Sequence, residues 1–196
     1  IPTTIAKGSP EGGYNEYQKF ERVVNQNMLA QGMYEIMTYS FVSPKQYDKI
    51  RLPKDDPKRQ SVVIRNPLGE DTSIAIPSMM DILSKNYNNR NGAVSLYEIG
   101  NEYIPVKGEL LPDEVPNLVL GMYGDDKDFF TLKGVVENLL DTLAIREYDV
   151  DAKSDDPTFH PGRCAVLSKD GEEFGIIGDV HPLVCANYGI NTRVYV

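Results

Sequence analysis

Arg163 to Val180 reads RCAVLSKDGEEFGIIGDV, two β-rich runs separated by Lys169-Asp170-Gly171. Asp-Gly between such runs is a strong short-range hairpin signal, because the tight turn needs residues that tolerate positive φ. That antiparallel pair constrains everything around it. Upstream, AVSLYEIGNEYIP and VPNLVLGMYG are rich in β-branched and aromatic residues and close enough in sequence to be antiparallel neighbours. SVVIRNP reads as a strand ending in an Asn-Pro turn, and RVYV as a terminal strand. YEIMTYSFVS is apolar enough to be a strand buried on both faces.

Helical periodicity fills the remainder. Tyr17, Phe20, Val24 and Met28 recur at spacings of three and four, and Gly32 follows as a C-cap. Ser43-Pro44 supplies an N-cap and first-turn proline for a short helix, PKQYDKI. PSMMDILSKNYNN is a second long helix, with Pro77 near its start and Met80, Leu83 and Tyr87 on one stripe. FFTLKGVVENLLDTLAI is a third, carrying Phe130, Val135, Leu139 and Leu143, and a short helix follows Pro182. The opening IPTTIAKGSPEGG is a Pro/Gly-rich linker over residues 1–13, leaving 14–196 as one domain. The class is α+β, an antiparallel β-sheet flanked by helices. There are no internal repeats.

At 196 residues and 41% hydrophobic content the chain can bury a real core. Its formal charge of −9 argues against gripping a phosphate backbone unaided. The densest basic cluster, Lys54 to Arg59, is interrupted by two aspartates and reads as a solvated loop. No apolar run is long enough for a membrane helix, so no membrane partner is expected. Two cysteines without a secretory context fit a reducing, cytoplasmic compartment.

All histidines and cysteines fall in two stretches, HPGRC (His160 to Cys164) and HPLVC (His181 to Cys185). A zinc site needs its ligands to converge within about 2.0–2.3 Å of the ion. His160 and Cys164 sit on extended chain, roughly 13 Å apart at about 3.3 Å per residue. His181 precedes Pro182 and so lies outside the helix. Each proline forces the histidine before it into extended geometry. The expectation is turn punctuation, with no metal and two inert buried cysteines.

Other constellations carry less. No GxxxxGK[ST] phosphate loop exists, and GIIGD, Gly175 to Asp179, reads as a place where strands pack closely. The acidic run Tyr148 to Asp156 lacks calcium-loop spacing and reads as a solvated edge. Glu98 and Glu102 share a strand face, with no partner acid or base identifiable.

The ordered set YEIMTYSFVSP, NPLGEDTSI, PSMMDILSKNYN, LYEIGNEY, DFFTLKGVVENLL, FHPGRCA and IGDVHPLVCANYGI resembles a known family. It looks like the C-terminal synthetase-like module of the bacterial phenylalanyl-tRNA synthetase beta subunit, over nearly the whole chain. The resemblance implies a class II aminoacyl-tRNA synthetase fold and a catalytically silent module paired with a catalytic alpha subunit in an (αβ)₂ enzyme. It implies ATP and Mg as cofactors of that whole enzyme, none for this module, and contact with tRNA only through the complex. It also implies that the chain is part of a longer beta chain. Two departures stand out: residues after Thr72-Ser73-Ile74 and between Gly124 and Asp128 are fewer than usual in the family, and there is no tryptophan.

Class II centres hold the ATP phosphate with a strand-borne arginine, because charge on the transferred group must be neutralised. LYEIGNEYIP offers Glu98 but no arginine, so no catalytic residue is expected. The helix over 14–31 and the following strand correspond to the family's dimerisation motif. Tyr17, Phe20, Val24 and Met28 are therefore the expected subunit-interface residues, unless that stripe covers the chain's own sheet. The rival is a stand-alone ATP-dependent ligase of the same fold, adenylating a small carboxylate.

Overall fold

The computed structural model describes residues 12–39, 43–59 and 75–196. The expected strand SVVIRNP and nearly all of the expected linker lie outside them; Gly12 and Gly13 are exposed and irregular.

Helix α1 spans Glu16–Ala30 and starts on a capping box: Asn15 accepts from the Gln18 N–H while Gln18 reaches back to the Asn15 N–H. It ends as the glycine predicts. Gly32 adopts φ 78°, its N–H donates to Leu29 O, and the Met33 N–H donates to Met28 O, a Schellman closure. Strand β1 follows at Tyr34–Glu35, then α2 at Lys45–Lys49 and α3 at Ala75–Asn88. Pro44, not Ser43, occupies the α2 cap position, with no side-chain capping bond.

Strands β2 (Val94–Ile104) and β3 (Asp113–Tyr123) pair antiparallel without interruption, from Val94 opposite Tyr123 to Ile104 opposite Asp113. Helix α4 (Phe129–Thr142) begins on a second capping box, Asp128 with Thr131. Then come β4 (Asp149–Ala152), β5 (Phe159–Lys169), β6 (Glu172–Val180) and α5 (Pro182–Asn187). The β5–β6 turn forms where expected, with Asp170 at φ 53° and Gly171 at φ 84°.

Hydrogen bonding groups the strands as β1-β2-β3 and β4-β5-β6. The last three residues join the groups. Tyr195 exchanges both backbone bonds with Met122 at 2.9 Å, while Val196 exchanges them with Gly178 and Val194 O accepts from the Val180 N–H. The result is one sheet, antiparallel except where β1 runs parallel to β2.

Alternation divides this sheet into two cores. Leu96, Tyr123, Phe159, Cys164, Val180 and Val194 face one way, packed with Met79, Met80 and Leu83 of α3 and Val184 of α5. Tyr97, Leu120, Met122, Ala165, Leu167 and Tyr195 face the other, under Val24 and Met28 of α1 and Leu132 and Leu139 of α4. The expected α+β sheet with flanking helices is what the chain builds.

Two expectations need correction. The described part of YEIMTYSFVS is not a strand buried on both faces: among its described residues only Tyr34 and Glu35 form a strand, on the sheet edge, and Met37 and Tyr39 are 90% and 80% exposed. Phe130 does not join the α4 core face; Leu132 does, because the first turn of α4 projects Phe130 outward. The acidic run is a solvated edge, as expected: it contains the strand β4, exposed along its whole length at the other side of the sheet. Its alternating Asp149 and Asp151 suit an edge that must stay soluble.

Candidate subunit interface

The α1 stripe divides along its length. Val24 and Met28 are 5% and 0% exposed and belong to the chain's own core, which removes them from any surface another chain could reach. Tyr17 and Phe20, two turns and one turn earlier, are 48% and 52% exposed. The change follows from geometry: only the C-terminal half of α1 lies over the sheet and α4. There Asn27 donates to Asn138 and Thr142 of α4 at 2.9 and 2.8 Å, and the Tyr97 hydroxyl donates to Asn25. The N-terminal part of α1 carries Tyr17, Phe20 and Val23 into solvent, and Tyr14, just before the cap, is exposed beside them in sequence. An Arg22 guanidinium sits 4.6 Å from the Tyr14 ring centre.

The segment beyond α1 carries a second exposed apolar group, Tyr34, Met37 and Tyr39. It is nevertheless held in place. The Ile36 N–H donates to Tyr97 O at 2.9 Å. The Thr38 hydroxyl lies 2.9 Å from both carboxylate oxygens of Glu98, which also accepts the Thr38 N–H. Glu98 therefore fastens the edge segment. Thr38 was not singled out from sequence, since a threonine in an apolar run gives no signal of a long-range carboxylate partner.

Glu102 accepts from Asn117 Nδ2 at 3.0 Å. Arg59, the last residue of the basic cluster, donates to Pro53 O and Asp48 at 2.7 Å each and also to Leu52 O, so it closes its own loop.

The two histidines do the same local work. His160 Nδ1 accepts the Gly162 N–H and His181 Nδ1 the Leu183 N–H, both at 3.1 Å and both across the intervening proline. Among the described residues no three His, Cys, Asp or Glu side chains gather as a metal site would require. Burial pushes both cysteine thiols up, to about 11 each. Asp156 adds to the rise at Cys164 and Asp179 at Cys185. Neither thiol is a nucleophile at neutral pH. Close strand packing at GIIGD is real: a Cβ on Gly178 would stand 2.6 Å from the Phe159 ring.

Comparison with known proteins decides the family. The family model described as the phenylalanyl tRNA synthetase beta chain CLM domain matches residues 1–196. The chain belongs to that family. This phenylalanyl-tRNA synthetase beta-chain module is 43% identical over 199 residues to the phenylalanine--tRNA ligase beta subunit of Clostridium acetobutylicum, covering 99% of the chain and 25% of that protein. It is 42% identical over 202 residues to the same-named subunit of Clostridium tetani, covering 100% and 25%. The module thus spans about a quarter of the length of these relatives. Its fold matches the crystal structure of pyrrolysyl-tRNA synthetase from Desulfitobacterium hafniense with a TM-score of 0.73 at 16% identity, over 90% of the module and 63% of that chain. This is the class II synthetase fold.

The module's residues do not fit the phosphate of a bound ATP at the class II position. Neither β2 nor β3 carries an arginine or lysine, and Glu98 is committed to Thr38. Among the described residues no helix is long and apolar enough to cross a membrane.

Proposed function

We propose that this module is the non-catalytic synthetase-like domain of a phenylalanine–tRNA ligase beta subunit, scaffolding the catalytic alpha subunit in ATP-dependent attachment of phenylalanine to its tRNA. The observation that carries the reading is the exposed aromatic surface of α1 and the β1 edge segment. Tyr17, Phe20, Tyr34, Met37 and Tyr39 stand in solvent on anchored backbone, and aromatic and methionine side chains are those enriched where protein surfaces dock. Of the expected interface residues, Tyr17 and Phe20 are kept for contact with the partner, while Val24 and Met28 support the helix from below.

In this reading ATP and magnesium belong to the alpha subunit, tRNA is met only by the whole complex, and the assembly works in the cytoplasm. The lack of a basic residue on β2 and β3 favours a silent module over a stand-alone adenylating ligase. Titrating the 196-residue chain with ATP, magnesium and phenylalanine in a calorimeter separates the two. No magnesium-dependent ATP binding that phenylalanine strengthens is expected; such coupled binding would replace this reading with the ligase. Assembly itself is tested by charge substitutions at Tyr17 and Phe20.

A further inference from the structure

Where β5, β6 and the C-terminal segment converge, a cleft of about 530 Å³ opens beside α5. His160, Arg163, Asp179, Asn191, Thr192 and Arg193 are its polar lining. Asp179 is 3% exposed, and a side chain so deeply placed needs a polar partner for its oxygens. Arg163 provides it, donating from Nη1 to Asp179 Oδ2 at 3.0 Å. That bond uses one of five guanidinium donors and fixes the direction of the rest. Arg193 also lines the cleft, and its guanidinium makes no hydrogen bond or ion pair with any described residue. The same holds for the Asn191 and Thr192 side chains.

The balance of charge is unusual for this molecule. In a chain of net charge −9, the cleft gathers two guanidinium groups against one carboxylate, and that carboxylate is already paired. A second cleft, also about 530 Å³, opens on the α4 side and shares Arg163, Asp179 and Arg193. The cationic pair is therefore reachable from both. Val180, Pro182, Ala186 and Ile190 form the apolar wall of the first cleft. The volume falls in the range of small-molecule pockets, roughly 300–1,000 Å³, and exceeds what a bare inorganic ion fills.

We propose that the cleft beside α5 binds a small organic oxyanion, a phosphate ester or carboxylate, whose charged head is held by Arg163 and Arg193. Asn191 and Thr192 supply neutral donors. Asp179 is a positioning residue that aims the Arg163 fork, and the apolar wall receives the organic body. A planar guanidinium pair suits either head group, because both present the oxygens that accept bidentate N–H bonds. The site does not depend on whether the module docks on a catalytic subunit.

The test uses the 196-residue chain labelled with ¹⁵N and two probes with the same apolar body, phenyl phosphate and benzoate. Amide and guanidinium signals are followed, with sodium chloride at matched ionic strength as the blank. The expected result is saturable shifts at residues 191–193 and at the Arg163 side chain with at least one probe, and the better probe identifies the head group. Arg193→Ala should weaken that binding about tenfold, the loss of one charge-assisted contact, and Thr192→Val by a smaller factor. Arg193 is exposed and has no side-chain partner among the described residues, so its variant should keep the native amide spectrum; Arg193→Gln is the second variant. Lys85→Ala, on the exposed side of α3, should bind as wild type. Linear shifts reproduced by sodium chloride, or saturation unchanged in both Arg193 variants, would overturn the proposal.

Discussion

Met122 and Tyr195 exchange both of their backbone hydrogen bonds at 2.9 Å, and this single pair joins β3 to the terminal segment that continues onto β6. The two halves of the sheet share no other strand-to-strand ladder among the described residues. Tyr195 also buries its ring in the α1/α4 core, 4% exposed. Replacing Tyr195 by Ala should therefore cost about 3–5 kcal/mol, the range for deleting a buried large aromatic. Urea unfolding checks the magnitude, and amide exchange checks the mechanism. Protection at Met122 and Gly178 should fall together. A variant that loses protection at only one of them would show that the halves are joined elsewhere.

Gly178 and Gly175 lie three residues apart on β6 yet should respond oppositely to alanine. At Gly178 the new methyl would stand 2.6 Å from Phe159 Cδ1 and 3.1 Å from Arg163 O, where the backbone cannot retreat. Overpacking of that kind costs about 1–3 kcal/mol. At Gly175 the nearest atom is Leu167 Cδ1 at 3.5 Å, ordinary contact. Gly175→Ala should fall within about 1 kcal/mol of wild type, helped by the lower entropy of its unfolded chain. Thermal unfolding of the two variants side by side decides it, and equal destabilisation would contradict the packing account.

The hairpin, the β2–β3 pair, most positions of the helix stripes and the Gly32 helix end were legible because each rests on local chemistry. Asp170-Gly171 demands one turn, and Gly32 one helix end. What escaped depends on distant partners. The terminal segment is too short to announce that Tyr195 joins two half-sheets. YEIMTYSFVS reads as buried because it is apolar, but apolarity records that a surface is to be covered and not by which chain. Likewise the α1 stripe is continuous in sequence, whereas only the stretch over the sheet, Val24 and Met28, is covered within the module. The histidine pattern reads as punctuation in the sequence, whereas the Nδ1 bonds to Gly162 and Leu183 depend on how the chain turns at each proline.

Acid should act partly through His181. Burial lowers its pKa below the ordinary 6.5, with Arg51 and His160 adding to the effect. The unfolded chain therefore binds this proton more readily. The stabilising contribution is complete above pH 6.5 and is lost as pH falls through and below it. Protonation at Nδ1 would also turn the acceptor for the Leu183 N–H into a donor. His181→Gln should flatten the stability profile between about pH 5 and 7; an unchanged slope would assign the acid sensitivity to other groups.

Cys164 and Cys185, with thiols held up at about 11 by burial, should resist a water-soluble thiol reagent at pH 7.5 until denaturant is added. Replacing both by Ala should cost modestly, about 1–3 kcal/mol in total, with no change in bound metal. Rapid labelling of the native chain would contradict the buried, inert assignment.

The central claim is that α1 and the β1 edge segment dock on a catalytic partner, and co-purification tests it most directly. The beta subunit carrying Tyr17→Glu and Phe20→Glu should remain folded, because both side chains are half exposed. Its association with the alpha subunit should weaken about 100-fold or more, the scale of losing two aromatic anchors and burying charge in their place. The account predicts that the alpha subunit is lost from the purified variant while the variant's circular dichroism matches wild type. Stoichiometric recovery of the alpha subunit at wild-type affinity would contradict it.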